Sequence, residues 1–142
     1  MPMIDVYAPA ALFPADADEH LGTELTHAVL RAEGHTEAVI APFFTENTAA
    51  FVHRLPVVST AAEARATAVR VQIVTPPGSL DREGQRQITR EATEIVQRIA
   101  GSAVTTWVVL TEAAEGGWGL GGVAYGKPEF AELAARAAAR QA

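Results

Sequence analysis

The sequence predicts an α/β fold in which a tandem β-α-β repeat forms one four-stranded sheet with two helices on one face. Two stretches, Met3 to Pro9 and Arg70 to Pro76, alternate apolar with polar or flexible residues before a proline stops the ladder. Ile4 and Val6, then Val71 and Ile73, carry this period-two signature of a strand. Apolar residues at helical spacing follow each one. The punctuation repeats as well: 67 residues separate Pro9 from Pro76, and 67 separate Gly34 from Gly101. Two independent marks at one offset point to duplication.

In the first copy, residues 2–56, Leu21, Leu25, Ala28 and Val29 make the helical stripe. Asp16, Asp18 and Glu19 sit at the positive end of that helix, and Gly34 is its natural stop. A longer connection, His35 to Thr48, leads into a closing strand at Ala49 to His53. Residues 57–67, rich in Ala, Thr and Ser, read as the link between copies. In the second copy, residues 68–126, Ile88, Ala92, Ile95 and Ile99 form the stripe, with Ser79 or Asp81 as cap and Gly101 as stop. Thr105 to Leu110 closes it. A crossover helix requires the two strands of each copy to be parallel. Gly116 to Gly122 holds five glycines in seven residues, a tight turn or close backbone approach. Residues 127–142 form an Ala/Arg-rich helix with Phe130, Leu133, Ala134 and Ala137 on one side. The whole, residues 1–142, is expected to be a single domain.

Composition removes several functions. Seventeen acidic against eleven basic residues give a net charge of −6, which deprives a nucleic-acid role of its electrostatic basis. The absence of cysteine excludes disulfides, thiolate zinc sites and thiol catalysis. His20, His27, His35 and His53 lack ligand spacing, since His20 and His27 stand two helical turns apart; no metal site is expected. The glycine run lacks the Lys-Ser/Thr of a phosphate loop. Apolar runs are short and Asp5 interrupts the first, so the reading is a cytoplasmic protein without a membrane partner.

Met1 precedes Pro2, a small residue, so removal of Met1 is the expected processing. What remains is a secondary amine at the head of a strand. An exposed α-amino group titrates near pH 7.7–8; burial or a nearby cation lowers that value, and a base poised near the working pH suits proton abstraction. At the 67-residue offset Pro2 corresponds to Val69, an internal amide that accepts no proton. A Met-Pro start by itself is common and without consequence in most chains; what singles out Pro2 is its place at the head of a strand, and one site per chain is then the expectation.

Pro2 at a strand head, the β-α-β repeat, Thr106-Trp107-Val108-Val109-Leu110-Thr111-Glu112 and Gly117-Trp118-Gly119-Leu120-Gly121-Gly122 resemble the tautomerase superfamily. Residues 69–122 are similar nearly end to end to the small 4-oxalocrotonate tautomerase branch. The doubled length is similar to cis-3-chloroacrylic acid dehalogenase and malonate semialdehyde decarboxylase. The resemblance implies a tautomerase/MIF-like fold and a cofactor-independent isomerase, with Pro2 as its catalytic base, acting on a small-molecule carbonyl or carboxylate. It also implies a homotrimer with sites shared between chains. Trp118 falls where the small branch has an active-site aromatic, and reads as pocket wall or as a packing plug. Trp107 falls where that branch has a binding arginine, and the arginine of the loop at Thr75 to Ser79 is also missing. Arg70, at the head of the second copy's first strand, and Arg54, beside His53, are the candidate replacements, and Tyr7 is a candidate hydrogen-bond donor. Arg31 serves the negative end of the first helix. Asp5 shares the first strand with Tyr7. Glu112 is a candidate for activating water. Two alternatives stand beside proton abstraction: hydration, dehalogenation or decarboxylation with a protonated Pro2, and a non-catalytic trimeric assembly.

Overall fold

Alternating burial runs the length of β1 (Met3–Pro9): Ile4, Val6 and Ala8 are buried, while Asp5 and Tyr7 face the opposite side. The computed structural model describes residues 1–35, 42–62 and 66–141. After β1 come α1 (Asp18–Ala32), the short α2 (Pro42–Glu46) and β2 (Ala49–Leu55). The second series is β3 (Ala68–Thr75), α3 (Arg82–Ala100) and β4 (Thr105–Glu112). A hairpin of β5 (Trp118–Leu120) and β6 (Val123–Tyr125) leads into α4 (Lys127–Gln141). Parts of the expected 35–48 connection (36–41) and 57–67 link (63–65), together with residue 142, lie outside the described residues.

The four long strands form one sheet in the order β2-β1-β3-β4. β1 pairs with β2 in parallel, and β3 with β4 likewise. The two pairs meet antiparallel, with Met3 opposite Val74 and Tyr7 opposite Arg70. This join decides where side chains meet, because the head of β3 lies beside the tail of β1. α1 and α3 cover one face. They bury Leu21, Leu25, Ala28 and Val29 with Ile88, Ala92, Ile95 and Val96 against Ile4, Val6, Val71 and Ile73. Each large aliphatic side chain removed from water contributes about 1.5–3 kcal/mol.

Local chemistry explains the helix ends. Asp81, not Ser79, caps α3: its side chain accepts from the Gly84 backbone N–H at 2.7 Å, while the Ser79 hydroxyl donates to the Pro76 carbonyl. Gly101 ends the helix in the left-handed region at φ 68°, which glycine enters without steric cost. The glycine run makes the short hairpin β5–β6, outside the main sheet. Near Gly84, α3 approaches α1 so closely that a Cβ there would stand 2.5 Å from the Ala32 carbonyl oxygen. The face of the sheet away from the helices is open, and Phe51, Trp107 and Val109 are 51%, 50% and 42% exposed on it. Among the described residues, no helix is long and apolar enough to cross a membrane.

Candidate active site

Pro2 is fully buried. It lies one step beyond the Met3–Val74 pair, at the end of the sheet where β3 and β4 finish with Thr75 opposite Glu112. α1 ends and α3 begins at this same end, as the contact of Ala32 with Gly84 requires. Strand parity turns Pro2 toward the helices, with Ile4 and Val6.

The amino group of the chain is buried there with an acid. The terminal ammonium on Met1 stands 3.5 Å from Glu33 Oε2, and both side chains are almost wholly removed from water. Burial lowers the pKa of that amine below its ordinary 8.0, and Glu33 opposes the shift by favouring the charged form. The nitrogens of adjacent residues are joined through two backbone atoms, so the Pro2 nitrogen lies within about 7 Å of the same carboxylate. The second oxygen, Glu33 Oε1, is buried without a hydrogen-bond partner among the described residues. A buried polar atom left unpaired costs about 1–3 kcal/mol, and this oxygen is placed to accept from a water or other donor. His35 stands nearby in the chain with its ring 4.4 Å from that of Phe44. Burial lowers its pKa, Glu33 raises it and the terminal amine lowers it further.

Sequence reasoning missed Glu33. The available signal was its position: an acid at the C-terminal end of a helix faces the negative end of the dipole and is disfavoured there. Glu33 is the residue that closes α1. Such a misplaced charge needs a compensating group, and here it is the amine.

Three other candidate site residues come together, at the opposite end of the sheet. Arg70 Cζ lies 4.4 Å over the Tyr7 ring, and Tyr7 stacks on His53 with centroids 4.4 Å apart and planes 7° from parallel. His53 Nε2 meets Asp5 Oδ1 at 2.7 Å. Arg70 pairs in register with Trp107, and both line a cavity of about 280 Å³ with Tyr7, Leu55, Val58 and Val69. Tyr7 is five residues along the strand from Pro2, a distance of about 17 Å. Within one chain, then, Arg70, Trp107 and Tyr7 do not reach Pro2, because the antiparallel join of β1 and β3 puts the two strand heads at opposite ends.

Arg54 is committed elsewhere. Its Nε and Nη2 donate to the Asp18 carboxylate, Nη1 donates to the Ala10 and Phe13 carbonyls, and Nη2 also donates to the Pro14 carbonyl. All five guanidinium N–H groups are engaged. Hydrogen bonding to Asp18 raises its pKa, opposed by a smaller burial effect. The residue clamps the loop between β1 and α1 and leaves no donor for a substrate. Arg31 pairs with Glu91 across the two helices at 3.0 Å. Trp118, 6% exposed, pairs in register with Tyr125 in the hairpin; among the described residues no ring contact or hydrogen bond joins it to Pro2. Glu112 is exposed, on the row of Thr75 and Pro2. Among the described residues no group of three or more acidic or histidine side chains is placed to hold a metal ion.

No family model and no curated protein matches the chain by sequence. Solved structures do match in shape. Pt0534 inactivated by 2-oxo-3-pentynoate aligns at a TM-score of 0.71 and 17% identity, over 86% of this chain and 95% of its own. A fused 4-OT crystallised as a symmetric trimer aligns at 0.70 and 18% identity, over 85% and 93%. A macrophage migration inhibitory factor-like protein from Entamoeba histolytica aligns at 0.69 and 13% identity, over 87% and 98%. Near-complete coverage of both chains in each comparison identifies the fold.

Proposed function

The chain has the fold of tautomerase and MIF-like structures, and from that premise we propose that it is a tautomerase-superfamily enzyme whose Pro2 amine is the base. One observation carries the reading: the chain-terminal amine is buried beside Glu33 with its pKa lowered by desolvation. Removal of Met1 passes the free amine to Pro2, which is itself fully buried. The unprotonated nitrogen takes the proton alpha to a carbonyl of a small carboxylated substrate. The C–H electron pair becomes the double bond of an enol or enolate, and the proton returns from nitrogen to another atom of that substrate. Glu33 favours the ammonium that exists between these transfers. The chemistry uses only the amine and its neighbours.

Two features support assembly as a homotrimer: the open sheet face with exposed Phe51 and Val109, and the trimer named for the fused 4-OT neighbour. In such an assembly a neighbouring chain can supply a cation to Pro2's end. The second reading, hydration or decarboxylation with a protonated Pro2, is favoured by one specific observation. The free Oε1 of Glu33 can accept from a water molecule, a role that the sequence offered to Glu112.

Turnover of phenylenolpyruvate tests the proposal. Pro2→Ala keeps a primary amine and is expected to lose about 10²-fold or more in kcat/KM, and a chain with uncleaved Met1 is expected to lose more. Parent-like rates in both variants would refute the mechanism. A pH profile separates the two readings: a free-amine base gains activity as pH rises through its pKa, whereas a protonated proline loses it.

A further inference from the structure

The duplication leaves a second niche, 67 residues on from Pro2, and the structure shows it to be a cavity. Val69, the counterpart of Pro2, lines it together with Arg70, Tyr7, Trp107, Leu55 and Val58. It lies at the far end of the sheet from Pro2. We propose that this cavity is a binding site for a small carboxylate with an apolar or aromatic body, separate from the amine and without chemistry of its own.

The argument rests on how Arg70 is held. Its guanidinium carbon lies 4.4 Å from the centroid of the Tyr7 ring, which in turn is stacked on His53 and fixed through the His53–Asp5 contact. A cation–ring contact occupies none of the guanidinium N–H donors, which stay available to an acceptor. Among the described residues no carboxylate pairs with Arg70. A bidentate carboxylate is the group that matches these donors in shape and charge. The remaining walls are apolar: the Trp107 indole, Leu55, Val58 and the buried Val69. A cavity with hydrophobic walls and one oriented cation is the usual composition of a small-ligand site. About 280 Å³ admits a single aromatic ring with its acid. No group in the cavity resembles the terminal amine, because position 69 is an internal amide. The duplicated copy therefore keeps a pocket and lacks a base. This inference does not depend on the Pro2 mechanism.

Benzoate is the probe, with benzyl alcohol as its uncharged counterpart. Trp107 emission in a Trp118→Phe background and calorimetry of the parent chain report binding, at the oligomeric state found by sedimentation. The expected result is saturable binding of one benzoate per chain with a change in Trp107 emission, and none for benzyl alcohol. Arg70→Gln is expected to weaken binding by about tenfold or more, and Arg70→Lys by less; Pro2→Ala is expected to leave it unchanged. Circular dichroism checks that the Arg70 variants fold. Four results would each overturn the proposal: benzoate affinity equal in Arg70→Gln and parent, loss of binding in Pro2→Ala, binding without a Trp107 response, or binding only to dissociated chains because a second copy fills the cavity.

Discussion

At the scale of single residues, Glu33 determines how easily the terminal amine keeps its proton. Its carboxylate favours the ammonium form while burial disfavours it, and burial is the larger effect. Glu33→Gln removes the opposing charge and leaves the desolvation in place, so the amine pKa falls further. The rising limb of the pH–rate profile is therefore expected to move to lower pH; an unmoved or raised limb would show that Glu33 does not face the working amine. Arg54 makes the opposite kind of prediction. Because its five donors bind Asp18 and the carbonyls of Ala10, Phe13 and Pro14, Arg54→Ala is expected to lower Tm by about 5 °C with KM unchanged. A raised KM at unchanged Tm would return Arg54 to substrate binding. Neither role was legible in the linear sequence: Glu33 and Arg54 acquire partners 32 and 36 residues away, and no local spacing encodes those contacts.

At the scale of elements, the parts written in local chemistry were legible. The alternation of Ile4, Val6 and Ala8 is the buried face of β1, Asp81 and Gly101 bracket α3, and the stripe Ile88, Ala92 and Ile95 is its buried side. What could not be read was the direction in which two correct strands meet. Arg70 and Pro2 each head a strand, and placing both in one site follows naturally when the copies are laid side by side. The antiparallel pairing of Tyr7 with Arg70 separates them instead. Gly84 shows a second element-level constraint hidden from pattern. Within the helix it looks merely unfavourable, yet it permits the approach of α3 to the end of α1. Gly84→Ala would gain helix propensity but drive a methyl into the Ala32 carbonyl. We expect a net loss of about 1–3 kcal/mol in denaturant unfolding, and a gain in stability would contradict the packing described.

At the scale of the whole molecule, the helices cover one face of the sheet and leave the other to be covered by something else. Phe51 on β2 and Val109 on β4 stand about half exposed at the two edges of that face. If the proposed trimer forms through this face, Val109→Glu is expected to shift it to monomer in sedimentation and to remove the proposed turnover while preserving the circular dichroism of the fold. A variant that remains trimeric would move the interface off this face. The same geometry explains why duplication yields two unlike ends. One end holds the amine beside Glu33, and the other holds a guanidinium over the Tyr7 ring.

The most direct test of the account is a titration of the Pro2 nitrogen by ¹⁵N NMR in the mature chain lacking Met1. The account predicts a midpoint clearly below the ordinary value of about 8 for a terminal amine, falling further in Glu33→Gln. A midpoint at or above that value, unaffected by Glu33, would contradict it.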